Sequence, residues 1–459
     1  MAPTTFSWKS TLPFPVRDVF AWHTRPGAFD RLNPPWRPVT IIQAPSSLES
    51  GSQVSIRLPI IGPLSLRWDL THTGYVDGVE FCDEQVRGPF HSWKHRHRFV
   101  EVSPRSTDMI DEISYKLPWY ARPLAHLCAQ ELARLFAFRH AQLASDIELH
   151  NRWAAAPRKK IIIAGSSGFI GSALTSFLST AGHSVIQLIR RKPETTDERY
   201  WDPERGILDP SIFNEVDVVI NLAGEPLLGR WSNKKKQSIK ESRVKSAALI
   251  ARTIASLQKP PEVAIMSSAI GIYGDTHNTH ADESSRSGSG FLADVCAAWE
   301  NASQPIAHSS CRLVNLRIGT VLNARGGALK QMLLSFRMGL GGPLGLGSQY
   351  MSWIGMSDLL GMIEHIIYSP AISGPFNAVA PLACTNRQFA EALGHVLRRP
   401  TILRVPGATL RLVFGELADS MLLCSSRVLA NKSLSSGYSY LRPDLQSTIA
   451  FECGVSAST

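Results

Sequence analysis

The chain has 459 residues, 44% hydrophobic and 19% charged; at roughly 150 residues per domain this suits two or three globular domains and excludes a disordered polymer. Its 48 basic and 38 acidic residues leave a net charge of +10, but the basic residues are dispersed with no aromatic-interleaved run, which excludes nucleic-acid binding and leaves a surface that favours anionic small molecules. Seven widely spaced cysteines without a CxxC pair exclude a disulfide framework and a zinc ribbon; with no leader-like N-terminus and no apolar run of about 18 residues, the expectation is a cytoplasmic protein without a membrane span.

Residues 1–150 read as one unit. Between Gln53 and Leu117 several segments have strand character, punctuated by turn residues at Gly62-Pro63, Asp77-Gly78 and Gly88-Pro89. In HSWKHRHRFVEV, Trp93, His95, His97 and Phe99 alternate with Lys94, Arg96 and Arg98, a period of two that puts aromatics on one sheet face and charge on the other. His95 and His97 share that face, and the reading is a row of ordinary polar contacts, with no metal site assigned. From about Pro123 to His150 the residues Leu124, Cys128, Leu132, Leu135, Phe136 and Leu143 recur at helical spacing, an apolar stripe that a curved antiparallel sheet would bury. Residues 151–158 read as a linker, since Pro157 interrupts the helix.

The segments FPVRDVFAWHTRPGAFDRLNPPW (Phe14 to Trp36) and GPFHSWKHRHRF (Gly88 to Phe99) resemble the START-like, polyketide-cyclase-like (SRPBCC) superfamily. The resemblance implies an α+β helix-grip domain around a cavity that takes an apolar ligand.

The next segment, KKIIIAGSSGFIGSALTSFLSTAGHSVIQLIRR, reads as strand, glycine turn, helix, strand. Ile161, Ile162, Ile163 and Ala164 form the apolar run of a buried parallel strand. Gly165 permits a tight turn, Gly168 lets the backbone approach a pyrophosphate, and Gly171 lets the helix pack close to the sheet, with Phe169 and Ile170 opening that helix. The helix N-terminus offers free N–H groups to the phosphates. The second strand, Ser184 to Ile189, ends in Arg190, Arg191 and Lys192, where NAD enzymes usually carry a carboxylate for the ribose 2′-hydroxyl. An arginine there can pair with a 2′-phosphate for about 1.5–3 kcal/mol, so the expected cofactor is NADP(H).

GSSGFIG, DVVINLAGEPL (Asp217 to Leu227), SSAIGIYGD and LRIGTVLNARGGALKQM resemble the extended branch of the short-chain dehydrogenase/reductase superfamily and, more narrowly, the YfcH-like epimerase family. The tail LRLVFGELADSMLLCSSRVL resembles that family's C-terminal extension. The resemblance implies a doubly wound parallel Rossmann sheet over residues 159–400, an extension over 401–459 contributing to the substrate lobe, and a small-molecule substrate. It implies cofactor contacts from Leu222, Ala223, Gly224 and Arg243, with Val321 flanking the nicotinamide.

Two departures bear on chemistry. The superfamily's YxxxK pair, in which lysine lowers the tyrosine pKa, is replaced by Cys296 and Glu300 at the same spacing. Ser268, at the end of the strand VAIMSS, and Tyr273, in the following turn, are left as the candidate catalytic hydroxyls. The Arg-Asp with which sugar-nucleotide epimerases of this branch often follow Gly-x-Gly-x-Gln is replaced by Met351-Ser352, which removes a phosphate-binding cation. The reading is an NADP-dependent oxidoreductase or epimerase-like enzyme; the alternative is a non-catalytic NADP(H)-binding regulatory protein with a ligand-binding N-terminal domain.

Overall fold

The computed structural model describes residues 3–45, 47–60 and 64–455; the expected Gly62-Pro63 turn lies outside the described residues. Two compact units result: Met1–Ala154 with Ser179–Gly182 and Cys453–Thr459, and Ala155–Leu178 with His183–Glu452.

In the first unit, strands β1 (Thr4–Leu12), β2 (Thr40–Gln43), β3 (Gln53–Pro59), β4 (Ser65–Val76), β5 (Glu80–Arg87), β6 (Ser92–Ser103) and β7 (Ser106–Lys116) form a seven-stranded sheet in the order β1-β7-β6-β5-β4-β3-β2. All its pairings are antiparallel. The alternation expected in β6 holds: Trp93, His95, His97 and Phe99 are buried while Lys94 is exposed. Helices α1 (Val16–Thr24) and α2 (Ala28–Arg31) follow β1, and the long α3 (Ala125–Asn151) follows β7. A 3-10 turn, Trp119–Leu124, contains Pro123, and the α-helix starts at Ala125, within two residues of the expected start. Two apolar groups pack between sheet and helices, one around Phe20, Trp22, Phe99 and Leu143, the other around Trp93, Ile113, Tyr115 and Phe136.

Within the first group of helices, Arg31 donates from Nε and Nη2 to the two oxygens of Asp146 at 2.8 and 2.7 Å, and Gln142 donates to the same carboxylate at 2.7 Å. The Asp146 side chain has no solvent exposure. Removing one member of a buried pair strands the other charge and costs about 3–5 kcal/mol. Arg31→Ala is therefore expected to lower the unfolding free energy in urea by that amount, and a loss below about 1 kcal/mol would show that the pair does not hold α2 to α3.

The second unit is built on strands β8 (Lys160–Ala164), β9 (Ser184–Ile189), β10 (Glu198–Asp202), β11 (Ile207–Leu208), β12 (Val218–Asn221), β13 (Val263–Ala269), β14 (Arg312–Ile318) and, near its end, Gly374–Ala378. The eight-stranded sheet runs β11-β10-β9-β8-β12-β13-β14 and then Gly374–Ala378. Every neighbouring pair is parallel except the antiparallel edge between β10 and β11. Ile161, Ile162, Ile163 and Ala164 have no exposure, nor have Val218, Val219 and Ile220, as expected of central strands covered on both faces. Helices α4 (Phe169–Thr180), α5 (Asn233–Ser256) and α6 (Phe291–Ala302) follow β8, β12 and β13. The chain leaves β8 toward β9 on one side and returns through β12 on the other, so the order reverses between β8 and β12. In such sheets, ligands bind in the crevice outside the carboxyl ends of the two strands at that reversal. A short pair, β15 (Thr320–Leu322) and β16 (Trp353–Gly355), stands beside the main sheet. Beyond residue 400 the chain forms short helices, among them Gly407–Phe414 and Leu445–Cys453. No helix among the described residues is long and apolar enough to cross a membrane.

Candidate active site

The glycine turn sits at the strand-order reversal. Gly165 has φ of +81°, a left-handed conformation disfavoured for side-chain-bearing residues. A Cβ there would also stand 2.7 to 2.8 Å from the backbone of Leu222 and Ala223, so the position is closed to other residues twice over. Leu222 donates its N–H to Ala164 at 2.8 Å, and Ala223 donates to Asn221 Oδ1 at 3.1 Å. The first bond fastens the turn after β12 to the end of β8, and the second fixes the β12 turn itself. A Cβ on Gly171 would meet the Gly165 carbonyl oxygen at 2.1 Å, which is why the first turn of α4 lies so close to β8. A Cβ on Gly168 would meet only that same oxygen, at 3.1 Å, and is otherwise unobstructed. Open space above Gly168, beside the unsatisfied first-turn amides of a twelve-residue helix, fits a dinucleotide pyrophosphate.

The other expected cofactor residues cluster around this turn, except where pairing has claimed them. Phe169 packs under the Gly326-Gly327 turn: Cβ atoms at those glycines would fall 2.3 and 3.2 Å from its ring. Val321, on β15, is buried and pairs with Ile354. Ile170 lies in the first turn of α4 and is half-buried. Arg243, on α5, lies under Gly224, donates to the Glu225 and Ile239 carbonyls at 2.9 and 3.0 Å, and stands 5.2 Å from the Trp299 ring centroid. Burial pulls its pKa down, and a guanidinium short of solvent is primed to gain from an anionic neighbour.

The two arginines after β9 differ sharply. Arg191 binds Glu198 through Nη1 and Nη2 at 3.0 and 2.5 Å. Glu198 also accepts the Glu194 N–H at 2.8 Å, and these partners, the backbone N–H first, hold its carboxyl below the usual range. Arg190 is exposed, and among the described residues no hydrogen bond or ion pair engages its side chain.

The strand ends also carry a polar network. Ser268, on β13, donates to Glu300 Oε1 at 2.7 Å. Arg317, on β14, donates to both Glu300 oxygens at 2.8 and 2.9 Å and from Nη1 to Tyr273 Oη at 2.9 Å. Tyr273 donates to Asn377 Oδ1 at 2.7 Å, and Asn377 takes its backbone restraint from Glu283 at 2.9 Å. Ser268, Tyr273, Arg317 and Asn377 are all buried. Burial pushes the Tyr273 phenol up while Arg317 and Asn377 pull it back, with a net rise. For Arg317, burial acts downward, but Glu300 and Tyr273 raise it above the usual arginine value. Cys296, one helical turn from Glu300, is pushed up to about 11, chiefly by burial, which leaves almost no thiolate near neutrality.

Sequence reasoning singled out Ser268, Tyr273, Cys296 and Glu300 but passed over Arg317 and Asn377. The signal was present: Arg317 is a charge between Leu316 and Ile318 in a strand that is mostly buried, and a buried charge needs a partner. The partner follows from register, since Arg317 lies directly beside Ser268 in the parallel pair β13 and β14.

The strand order, the glycine turn and the open helix N-terminus define a dinucleotide-binding α/β protein. Comparisons with known proteins agree. Residues 161–371 match the NAD dependent epimerase/dehydratase family, and residues 405–451 match a domain of unknown function (DUF1731). The chain is 40% identical over 281 residues to the epimerase family protein Mb2239 of Mycobacterium bovis, covering 61% of this chain and 93% of that one. It is 31% identical to a nucleoside-diphosphate sugar epimerase structure from Corynebacterium glutamicum, with a TM-score of 0.82 over 98% of this chain and 90% of that one. It is 33% identical to human epimerase family protein SDR39U1, whose crystal structure is with NADPH, with a TM-score of 0.59 over 64% of this chain and 99% of that one. The chain belongs to the NAD-dependent epimerase/dehydratase family and is an NAD(P)-binding protein of that family.

The Glu300–Arg317 pair predicts a sign as well as a size. Arg317→Met leaves the Glu300 carboxylate without its counter-charge and should cost about 3–5 kcal/mol. Adding Glu300→Gln removes the stranded charge, so the double variant should be the more stable of the two in urea unfolding. A double variant no more stable than Arg317→Met would mean that the network is not held by charge pairing.

Proposed function

We propose that this protein is an NADP(H)-dependent, epimerase-like oxidoreductase acting on the carbonyl or the carbinol carbon of a small substrate. The observation that carries the reading is the glycine turn at the reversal between β8 and β12, with Gly165 left-handed and Gly168 open. In this reading the α4 amides and the backbone at Gly165, Gly168, Phe169, Ile170 and Gly171 bind the pyrophosphate. Arg190 takes the 2′-phosphate, with Arg191 behind it, braced by Glu198. Leu222, Ala223 and Gly224 line the adenine side, Arg243 adds charge, and Val321 flanks the nicotinamide, which supplies or accepts two electrons when bound.

Ser268 is the proposed carbonyl-orienting hydroxyl. In the free protein it donates to Glu300, so a substrate oxygen competes with that carboxylate for its proton. Tyr273 is the proposed proton donor: the Arg317 guanidinium 2.9 Å from its oxygen partly offsets the rise that burial imposes on the phenol, acting from the neighbouring strand rather than one helical turn away. Met351 and Ser352, where many relatives of this fold class carry a cation, point to a substrate other than a sugar nucleotide. The N-terminal unit is read as a START-like domain for an apolar ligand, on the strength of its aromatic group, in which Trp68, Phe90, Trp93 and Tyr115 rings lie 4.7 to 5.8 Å apart.

A second reading, an NADP(H)-binding regulatory protein, is favoured by the closure of the Ser268–Glu300–Arg317–Tyr273 network, in which each named hydroxyl already has a protein partner. Two measurements separate the readings. In fluorescence titration the protein should bind NADPH more tightly than NADH, and Arg190→Ala should weaken NADPH by about 10- to 100-fold while leaving NADH unchanged; equal affinities in the unaltered protein would overturn the NADP(H) assignment. Oxidation of NADPH across a carbonyl panel, lost by at least about 100-fold in Ser268→Ala with cofactor binding retained, supports catalysis. Tight binding with no turnover supports the regulatory reading.

A further inference from the structure

The first unit contains a second polar centre, far richer than the row of two histidines read from the strand pattern. His72 on β4, Asp83 on β5 and His95 on β6 are neighbours across three strands, and His97 on β6 faces Asp111 on β7. All five side chains lie on one sheet face, where His140 of α3 joins them. His72, His95, His97, Asp111 and His140 are buried, and the Asp83 side chain keeps 21% of its exposure.

Hydrogen bonds orient the rings of His72 and His95. His72 Nδ1 lies 2.9 Å from the Ser47 carbonyl oxygen, which can only accept, so Nδ1 carries a proton. Its Nε2 lies 3.0 Å from Asp83 Oδ1. His95 donates from Nε2 to Asp111 Oδ1 at 2.8 Å, which turns its Nδ1 lone pair toward Asp83 Oδ2 at 3.6 Å. His97 Nδ1 faces Asp111 at 2.7 Å, and its Nε2 faces the same Asp83 oxygen at 3.1 Å. Asp83 thus stands where three imidazole nitrogens converge: His97 Nε2 is within hydrogen-bonding distance of it, His72 Nε2 lies beside its other oxygen, and His95 Nδ1 is too far away for a hydrogen bond. The His95 and His97 ring centroids are only 3.8 Å apart. A divalent ion among these nitrogens would be balanced in charge by the two carboxylates, Asp83 and Asp111.

We propose that Asp83, His95 and His97 bind a divalent first-row transition metal ion, with His72 Nε2 beside the second Asp83 oxygen and Asp111 behind the two ligand imidazoles, hydrogen-bonded to His95. The donor atoms of Asp83, His95 and His97 lie within 4.8 Å of one another. Tetrahedral bonds of about 2.0–2.2 Å space ligands by roughly 3.3–3.6 Å, close to the 3.1 and 3.6 Å found from the two imidazoles to Asp83. Imidazole and carboxylate together select zinc, iron, cobalt or nickel over magnesium and calcium. A carboxylate on the far nitrogen of a ligating histidine is the usual support of such a ring; Asp111 gives it to His95 at 2.8 Å and stands 2.7 Å from His97 Nδ1, with His140 Nε2 at 2.5 Å anchoring its other oxygen. Three protein ligands leave a position for water or an oxygen-bearing ligand, and the exposed edge of Asp83 gives the ion a way in. The site lies within the first unit and is independent of the reading of the dinucleotide turn.

The test uses the full-length, untagged chain, stripped with dipicolinate. Zinc added back should bind at one equivalent by mass spectrometry of the metal and raise the thermal midpoint, and cobalt should give the visible absorption of a nitrogen- and oxygen-ligated ion. Asp83→Asn, which keeps the side chain's shape, should weaken cobalt binding by more than about 100-fold, and Asp111→Asn by about 10- to 100-fold, each with circular dichroism unchanged. His277→Ala, at an exposed histidine, should change nothing. Failure of the stripped, unaltered protein to bind zinc or cobalt overturns the proposal, as does binding indifferent to Asp83→Asn; the first of these needs no variant and so cannot be confused with misfolding.

Discussion

The approach of Gly165 to the backbone of Leu222 and Ala223 constrains the whole second unit. Two strand ends, β8 and β12, are brought within 2.7 Å of where a side chain would stand, and only a residue without Cβ, able to adopt φ of +81°, permits it. From that contact follow the position of α4, the direction of its free amides and the location of the crevice. Gly171 repeats the constraint one turn later, against the Gly165 carbonyl. Remove either closeness and the helix N-terminus no longer addresses the strand-order reversal, where a phosphate gains from both the amides and the helix dipole.

Around this turn, charge is placed in two ways. Some cations are neutralised within the protein: Arg191 by Glu198, and Arg317 by Glu300. Others have no carboxylate partner among the described residues: Arg190 in solvent, and Arg243, partly desolvated beneath Gly224 and bonded to backbone carbonyls. An uncompensated cation near a phosphate site gains from the ligand, whereas a compensated one holds its neighbours in place. The network from Ser268 to Asn377 is of the second kind, and it sets a guanidinium from an adjacent strand 2.9 Å from the Tyr273 oxygen. The glutamate at the lysine's position then acts as counter-ion to that guanidinium, which explains why an anion is tolerated there.

The first unit uses the same economy of strand neighbours for a different end. Its antiparallel register sets histidines and aspartates from four consecutive strands on one buried face. Hydrogen bonds to Ser47 and Asp111 then fix how the His72 and His95 imidazoles point. An apolar sheet face with a polar centre is costly unless every polar group is paired, so the cluster is the most specific feature of this unit's interior.

How legible this was depended on the range over which each signal acts. The strand–glycine–helix–strand segment, the alternation of β6 and the apolar stripe of α3 are local patterns with periods of 2 and 3.6 residues, and the amino-acid order determines them without reference to distant chain. The glycine spacing from Gly165 to Gly171 likewise named its own chemistry, because the phosphate cradle is formed within one turn and one helix end. Tertiary structure alone decided that Arg317 lies beside Ser268, that Arg191 is spent on Glu198 while Arg190 is free, and that Asp83 and Asp111 bracket His95 and His97. Each of these contacts depends on strand register or on a loop's return path, and a one-residue shift would turn the same side chains to the opposite face.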